Sequence, residues 1–436
     1  MMANSMLLLL VASLVAFQDS QLNLTDDCAE VQTLVIEVTN GAELQVALDQ
    51  HAAQGGTVRI GKPNSLVCTA LESVIDGETS RHALLIPNGI DLDLNGSILL
   101  LDLRLNSHGV RLSSRSSIRN GTIKVIRSDN KGSQAIWHAG IGIGAPYDDG
   151  GTPEKPGHFS RVSNWKVENI TIDQPFPAAA IQIMSEACHG IIRNVRILDS
   201  PMALLGIGMD WGSVGKMTTA DESIPHMREL WEQHEIYTTH PHDILIENID
   251  IGHLTRNIDG NDAGIRCSAC YNIRIQNVHI ASAASALAIF GGDCGFEFAP
   301  VELRSLAHTG YRIESLEIEK AFRYGIVLNG LSDNVFRSRE IHGYQTLTDP
   351  TQPGLNGVTI SNSRLNGSKT PDSQGMYITA VSHVEVHDVT LKDFAMGVRI
   401  KDWVDGLHFK NADLSHNAQP RSISSSVEKP RNLIFD

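Results

Sequence analysis

From Trp165 to Lys401 one pattern of apolar and polar positions keeps returning. A short segment alternates polar and aliphatic residues and carries Asn followed by an aliphatic. A second segment then reads aliphatic-x-aliphatic, often opened by Gly. The first segments include Glu168-Asn169-Ile170-Thr171-Ile172, Arg193-Asn194-Val195-Arg196-Ile197, Glu247-Asn248-Ile249-Asp250-Ile251 and Gln276-Asn277-Val278-His279-Ile280. Looser copies begin at Glu314, Ser361 and His387. The second segments are Ile181-Gln182-Ile183, Ile207-Gly208-Met209, Ile265-Arg266-Cys267, Leu287-Ala288-Ile289, Ile326-Val327-Leu328, Met376-Tyr377-Ile378 and Val398-Arg399-Ile400.

Alternation with a period of two puts successive side chains on opposite faces of a strand, so each segment has an apolar inner face and a polar outer one. Where nothing is inserted the repeat is about 25 residues, the length of one coil of a solenoid. One coil cannot bury its inner face alone, whereas stacked coils share a continuous apolar column. The recurring Asn predicts a turn in which stacked carboxamides bond one another and the backbone, with Asn169 pointing inward. Upstream, Asn40 to Gln50 reads as an amphipathic helix with Asn40 as N-cap, running into Gly55-Gly56-Thr57-Val58-Arg59-Ile60. Such a helix covers the open end of the column.

On these residues the chain resembles the pectin-lyase-like superfamily over nearly all of its mature length. The resemblance implies an all-β fold, a right-handed single-stranded parallel β-helix with an N-terminal helical cap and loop insertions on one side. It also implies enzymes acting on polysaccharides, many of them rich in uronate.

Length alone allows two or three domains, but the repeat is unbroken and residues 20–436 read as one. Residues 1–19 contain an apolar run from Ser5 to Phe17 that turns polar at Gln18, which reads as a signal peptide and hence a secreted protein. Five glycosylation sequons, at Asn23, Asn95, Asn120, Asn169 and Asn366, and six cysteines fit that compartment. Cys28 and Cys68 are positioned to staple the cap; Cys267 and Cys270 read either as a disulfide or as buried thiols. With 35 Lys and Arg against 50 Asp and Glu, the net charge of −15 argues against a nucleic-acid partner. It leaves room for a local basic groove, and no partner beyond a polysaccharide or oligosaccharide is indicated.

Three insertions, at residues 144–160, 211–241 and 291–309, each follow a second segment and therefore leave the solenoid on one side. A cleft walled by them is the expected functional face. Its outward residues form two rows: Gln182, Gly208, Arg266, Ala288, Val327, Tyr377 and Arg399, then Met184, Asp210, Ser268, Phe290, Asn329, Thr379 and Lys401. His138, preceding Gly140-Ile141, and Trp211, immediately after Asp210 at the root of an insertion, are candidates to line a sugar subsite.

Just before the Arg266 strand, Asp259 and Asp262 lie three residues apart, as candidate general acid and base or as part of an Asx-rich turn. Asn257-Ile258-Asp259-Gly260 is similar to the Asn-Thr-Asp-Gly motif of polygalacturonase-type glycoside hydrolases, and Gly397-Val398-Arg399-Ile400-Lys401 is similar to their Arg-Ile-Lys motif. The resemblance implies a carboxylate role for Asp259 and an acidic sugar held by Arg399 and Lys401. Where that family carries paired aspartates in the next coil, this chain reads Ala284-Ser285-Ala286. The expectation is a secreted glycoside hydrolase with Asp259, Asp262 and Asp210 as catalytic candidates and Arg266, Arg399, Lys401, Tyr377, His138 and Trp211 as substrate-binding candidates. Two alternatives stand beside it. One is a lyase or epimerase that abstracts the proton α to a uronate carboxylate with Arg266, Tyr377, Arg399 or Lys401; the other is a non-catalytic glycan-binding solenoid or adhesin. No cofactor is implied: calcium among Asp210, Asp259, Asp262 and Asp293 is conceivable, but no spacing identifies a metal site.

Overall fold

In a straight strand inner and outer side chains alternate, so a chain can turn around a core only where that alternation slips. Left-handed residues supply the slip in this protein. A computed structural model describes residues 32–75, 78–103, 107–128, 139–144, 162–173, 179–184, 187–201, 203–210, 241–255, 262–268, 270–290, 309–330, 355–425 and 429–436. Residues from Thr33 to Asp436 form one compact unit, and the leader expected at residues 1–19 lies outside the described residues. Within that unit, twenty-eight strands and one helix are described. Neighbouring coils pair in parallel; a hairpin between Leu71–Ile75 and Glu78–Ile86 is antiparallel.

Each regular coil has three short strands, which stack into sheets A, B and C. Sheet A contains Ala139–Ile143, Ala179–Met184, Leu205–Asp210, Ala263–Ser268, Gln374–Thr379 and Met396–Ile400, together with the last residues of the long strands Tyr271–Phe290 and Thr309–Asn329. Sheets B and C are often one continuous strand bent at a corner, as in Ala187–Ile197, where Asn194 has φ 53°. The equivalent residues Asn120, Asn169, Asn248, Asn277, Ser315, Asn362, Asp388 and Asn411 all have positive φ. At each of these corners two consecutive side chains face out, which folds sheet B into sheet C.

The Asn ladder is therefore real, but it lies outside the corner. Asn169 is exposed. Its Nδ2 donates to Oδ1 of Asn120 at 3.1 Å, and it accepts from Asn194 at 3.0 Å; Asn248 and Asn277 continue the chain at 3.1 Å each. The left-handed corner reverses the inward orientation expected for Asn169, because the residue after Glu168 repeats its outward direction. Asn tolerates this conformation where other residues lose about 1–2 kcal/mol. Asn194→Ala is expected to lose roughly 2 kcal/mol in urea unfolding, and Asn194→Gly less, since glycine removes the amide bonds but not the backbone preference.

A second set of left-handed residues turns sheet A into sheet B: Asn164, His189, Asp243, Asn272, Gly310, Gly357, His383, Gly406 and Asn432. Here His242 Nδ1 lies 2.6 Å from Asp243 Oδ2, and the ring stacks on Tyr271 at 4.6 Å. Burial alone pulls the His242 pKa down, but the bonds to Asp243 and Cys188 outweigh it and lift it to about 9. A folded-state value above the ordinary one contributes stability that is complete below about pH 6.5 and is lost as pH rises through 9. That contribution is at most about 3 kcal/mol. The melting temperature of wild type is expected to fall from pH 6.5 to 9.5 more steeply than that of Asp243→Asn, and a parallel decline in the two proteins would contradict it.

Inward, sheet A stacks Leu84, Val110, Ile141, Ile181, Ile207, Ile265, Leu287, Ile326, Met376 and Val398 on successive rungs, all buried. Each such side chain contributes about 1.5–3 kcal/mol relative to exposure. The helix Gly41–His51 closes the N-terminal end as expected, with Leu44 and Leu48 buried and Asn40 accepting from the Glu43 amide at 2.9 Å. Gln45 bonds both the carbonyl and the amide of Leu85, at 3.0 and 2.8 Å, which satisfies the edge of the first sheet A strand. At the other end, Val398 is followed in register by Arg421, whose guanidinium lies 4.3 Å from the Phe435 ring. A polar residue thus replaces the aliphatic where the column stops.

Cys68, Cys267 and Cys270 are buried thiols. Cys28, the other half of the expected staple, lies outside the described residues. Cys267 with Cys270 takes the thiol alternative, as their place in the aliphatic column explains. No helix among the described residues is long and apolar enough to cross a membrane.

Candidate functional site

The register places both expected outward rows on one face of sheet A. Gln182 pairs with Gly208, Gly208 with Arg266, Arg266 with Ala288, Ala288 with Val327, Val327 with Tyr377 and Tyr377 with Arg399. Met184 with Asp210, Ser268 with Phe290, Phe290 with Asn329 and Asn329 with Thr379 form the second row. The strands that precede the three large insertions all belong to this sheet; the insertions themselves lie outside the described residues.

The face changes character along the solenoid axis. Its N-terminal end is polar and buried, with His82, His108 and Arg111. Burial, reinforced by the positive charge of Arg111, pushes the His82 pKa down to about 4, so its ring is neutral at physiological pH. The His108 ring occupies the space beside Gly142, where a Cβ would come within 2.6 Å of it. Next come Gln182, buried, and the half-buried Asp210. Arg266 donates from Nε to Ser268 Oγ at 3.2 Å, and its guanidinium lies 5.3 Å from the centroid of Phe290.

Beyond Arg266 the face becomes aromatic. A pocket of about 180 Å³ is lined by Phe290, Tyr324, Tyr377, Arg323, Asn329 and Ser285, with Ala288 and Val327 as its floor. The Tyr324 and Tyr377 rings are 5.9 Å apart, and the Arg323 guanidinium lies 5.0 Å from the Tyr324 ring. One rung on are Arg399 and then Lys401, both half-buried. Flat rings beside guanidinium groups offer stacking for a sugar ring and bidentate donors for a carboxylate.

The carboxylates are arranged differently from a compact pair. Asp262 is buried and its carbonyl accepts from the Ser285 amide at 3.0 Å. It precedes the strand Ala263–Ser268, whereas Asp210 ends the adjacent strand Leu205–Asp210. Met209 pairs with Cys267, so Asp210 stands level with Ser268, six residues along from Asp262. At about 3.3 Å per residue their backbones are roughly 20 Å apart, well beyond the ~5–10 Å that paired carboxyls need in glycoside hydrolysis. Asp259, His138 and Trp211 lie outside the described residues. Among the described residues, no group of three or more His, Cys, Asp or Glu side chains is arranged to hold a metal ion.

The sequence reading did not single out Arg323 and Tyr324. Tyr324 pairs with Ser285 and Gln374 and stands three residues upstream of Val327. A period-two count from Val327 lands on Gly325, where a Cβ would meet the buried Leu365, so strict alternation does not reach Tyr324.

No family model and no curated protein matches the chain. Solved structures do. The A-module of mannuronan C-5 epimerase AlgE4 from Azotobacter vinelandii is 15% identical with a TM-score of 0.50, covering 90% of this chain and 97% of that one. A double mutant of the tailspike protein of E. coli bacteriophage HK620, in complex with a pentasaccharide, is 10% identical with a TM-score of 0.54, covering 92% of this chain and 63% of that one. At such identities the likeness concerns the path of the backbone, and it agrees with the coils, corners and parallel register described above. The chain has a right-handed parallel β-helix fold.

Proposed function

We propose that the protein is a carbohydrate-active enzyme that holds an acidic polysaccharide along the outer face of sheet A. The observation that carries this reading is the aromatic pocket. Phe290, Tyr324 and Tyr377 provide apolar surface for a pyranose ring, and Arg323, Arg266 and Arg399 provide cations for its carboxylate. These cations are local exceptions on a protein of net charge −15, which is how an acidic protein binds an acidic chain. The fold is shared with a mannuronan epimerase module and with a tailspike solved with a pentasaccharide, and the proposal puts this chain in the same broad substrate class.

Of the possible reactions, the described geometry favours proton abstraction α to a uronate carboxylate. A tyrosine hydroxyl is a competent base once a neighbouring cation stabilises its oxyanion, and a guanidinium neutralises the charge that develops on the carboxylate. Tyr377 fits the first role and Arg323 the second. Departure of the group at the β position completes an elimination, and return of a proton on the opposite face completes an epimerisation. Hydrolysis is the second reading, supported by the Asn257-Ile258-Asp259-Gly260 motif, with Asp259 and Asp262 as acid and base. Both readings place the protein outside the cell, with residues 1–19 as its leader.

The experiment is a panel of polyuronates and neutral polysaccharides incubated with the purified protein. Reducing ends, ultraviolet absorbance of unsaturated uronate and the NMR spectrum are read on the same samples. Absorbance supports elimination, a changed sugar configuration without cleavage supports epimerisation, and reducing ends without absorbance move the assignment to the aspartates. Binding without any product would make the face a lectin-like surface.

A further inference from the structure

The corner that turns sheet A into sheet B carries a group of side chains that the outer face of sheet A does not use. Cys188 is in register with His242, and His242 with Tyr271, so three successive coils place thiol, imidazole and phenol in one outward row. Neighbouring rungs are about 4.8 Å apart, close enough for direct contact. His242 Nδ1 is held by Asp243 Oδ2 at 2.6 Å, and Asn272 donates to the other carboxylate oxygen. Tyr271 lies flat against the ring, 7° from parallel, and His189 meets it edge-on at 5.7 Å, with its Nδ1 3.7 Å from Asp243. With one ring nitrogen committed to the carboxylate, the imidazole stands one rung from the Cys188 thiol.

Thiol, imidazole, carboxylate and amide thus follow one another in the order that activates a cysteine: a nucleophile, the base beside it, and the group that fixes the base. The other described cysteines differ. Cys68, Cys267 and Cys270 belong to the aliphatic column, and burial pushes the Cys68 thiol up to about 12 and the Cys267 thiol further. Such thiols are inert. Cys188 is also buried, but it faces outward from that column, toward His242.

We propose that Cys188, His242 and Asp243 form a reactive thiol centre, distinct from the sheet A face, that is modified by small electrophiles such as hydrogen peroxide. Cys188 is buried, so an electrophile that reaches the sulfur must be small. Sulfur attacks one peroxide oxygen, an S–O bond forms and the O–O bond breaks. The protonated His242 gives its proton to the departing hydroxide and takes the thiol proton in its place, so that thiol and peroxide become sulfenic acid and water, with sulfur oxidised and peroxide reduced. The product lies at the corner between sheets A and B, beside His242.

The test exposes the full-length folded protein to equimolar hydrogen peroxide, removes the peroxide, unfolds the protein in dimedone so that trapping does not depend on access, and maps the label by digestion and mass spectrometry. Cys188 is expected to be labelled about tenfold or more faster than Cys68, Cys267 and Cys270 in the same molecule. His242→Gln is expected to slow Cys188 by a similar factor. Asp243→Asn, which changes no volume, provides the second variant if the glutamine protein does not fold. Labelling of Cys188 no faster than the three column cysteines overturns the proposal, as does an undiminished rate in a folded variant of either residue. Dimedone trapping is independent of any action on polysaccharide.

Discussion

Replacing Trp165 by Ala is expected to remove about 3–5 kcal/mol of folding stability, and replacing its neighbour Gly190 by Ala about 3 kcal/mol. Trp165 is completely buried, and it is the largest side chain so placed among the described residues. Its carbonyl accepts from the Ile191 amide of the next coil at 3.0 Å, which brings Gly190 directly over the indole. A Cβ on Gly190 would fall 1.9 Å from Cζ2 and 2.2 Å from Cε2 of that ring. The ring cannot retreat, because rigid coils flank it on both sides, so the clash must be absorbed by the backbone. The two substitutions are therefore not independent. In the Trp165→Ala background the cavity accepts the new methyl group, and Gly190→Ala is expected to be nearly neutral. A double-mutant cycle read by urea unfolding should give a coupling of about 2–3 kcal/mol. Simple additivity would show that the indole does not occupy the space the structure gives it.

The pair also shows what sequence patterning captures and what it omits. Inner aliphatics recur at every rung, so both outward rows of sheet A can be counted from them, and the observed register reproduces that count from Gln182 to Arg399. The helical cap is equally legible, since Asn40, Leu44 and Leu48 carry an N-cap and an apolar stripe. Corners are harder. The corner between sheets B and C repeats Asn, and its existence follows from that repetition, but its facing does not, because a left-handed residue breaks the alternation on which facing is judged. The corner between sheets A and B shows no steady repetition: Asn164, His189, Asp243, Asn272 and Gly310 share a backbone conformation across four residue types. The contact of Cys188 with His242 is invisible for the same reason, as 54 residues and an insertion separate them. Distance along a strand was the other missing quantity. Asp210 and Asp262 are both acids near Arg266 in the fold, yet they stand at opposite ends of adjacent strands.

That separation makes the choice of reaction testable with two conservative substitutions. Tyr377→Phe keeps the ring that packs beside Tyr324 and deletes only the hydroxyl, so the pocket and the fold are retained. If the hydroxyl takes the proton, kcat is expected to fall by about 10²–10⁴ with little change in KM. Arg399→Ala removes a charge one rung beyond the pocket and is expected to raise KM by about ten- to a hundredfold while kcat changes less. Asp262→Asn, at the far end of the neighbouring strand, should leave kcat within about tenfold of wild type under proton abstraction. Paired-carboxylate hydrolysis predicts the reverse. Asp259→Asn and Asp262→Asn would each abolish turnover, while Tyr377→Phe would cost only a contact. The two patterns share no outcome, because one mechanism puts its proton transfer among the tyrosines of the pocket and the other puts it in the turn that precedes the Arg266 strand. Measuring kcat and KM for Tyr377→Phe and Asp262→Asn on the same polyuronate therefore assigns the chemistry to one end of sheet A or the other.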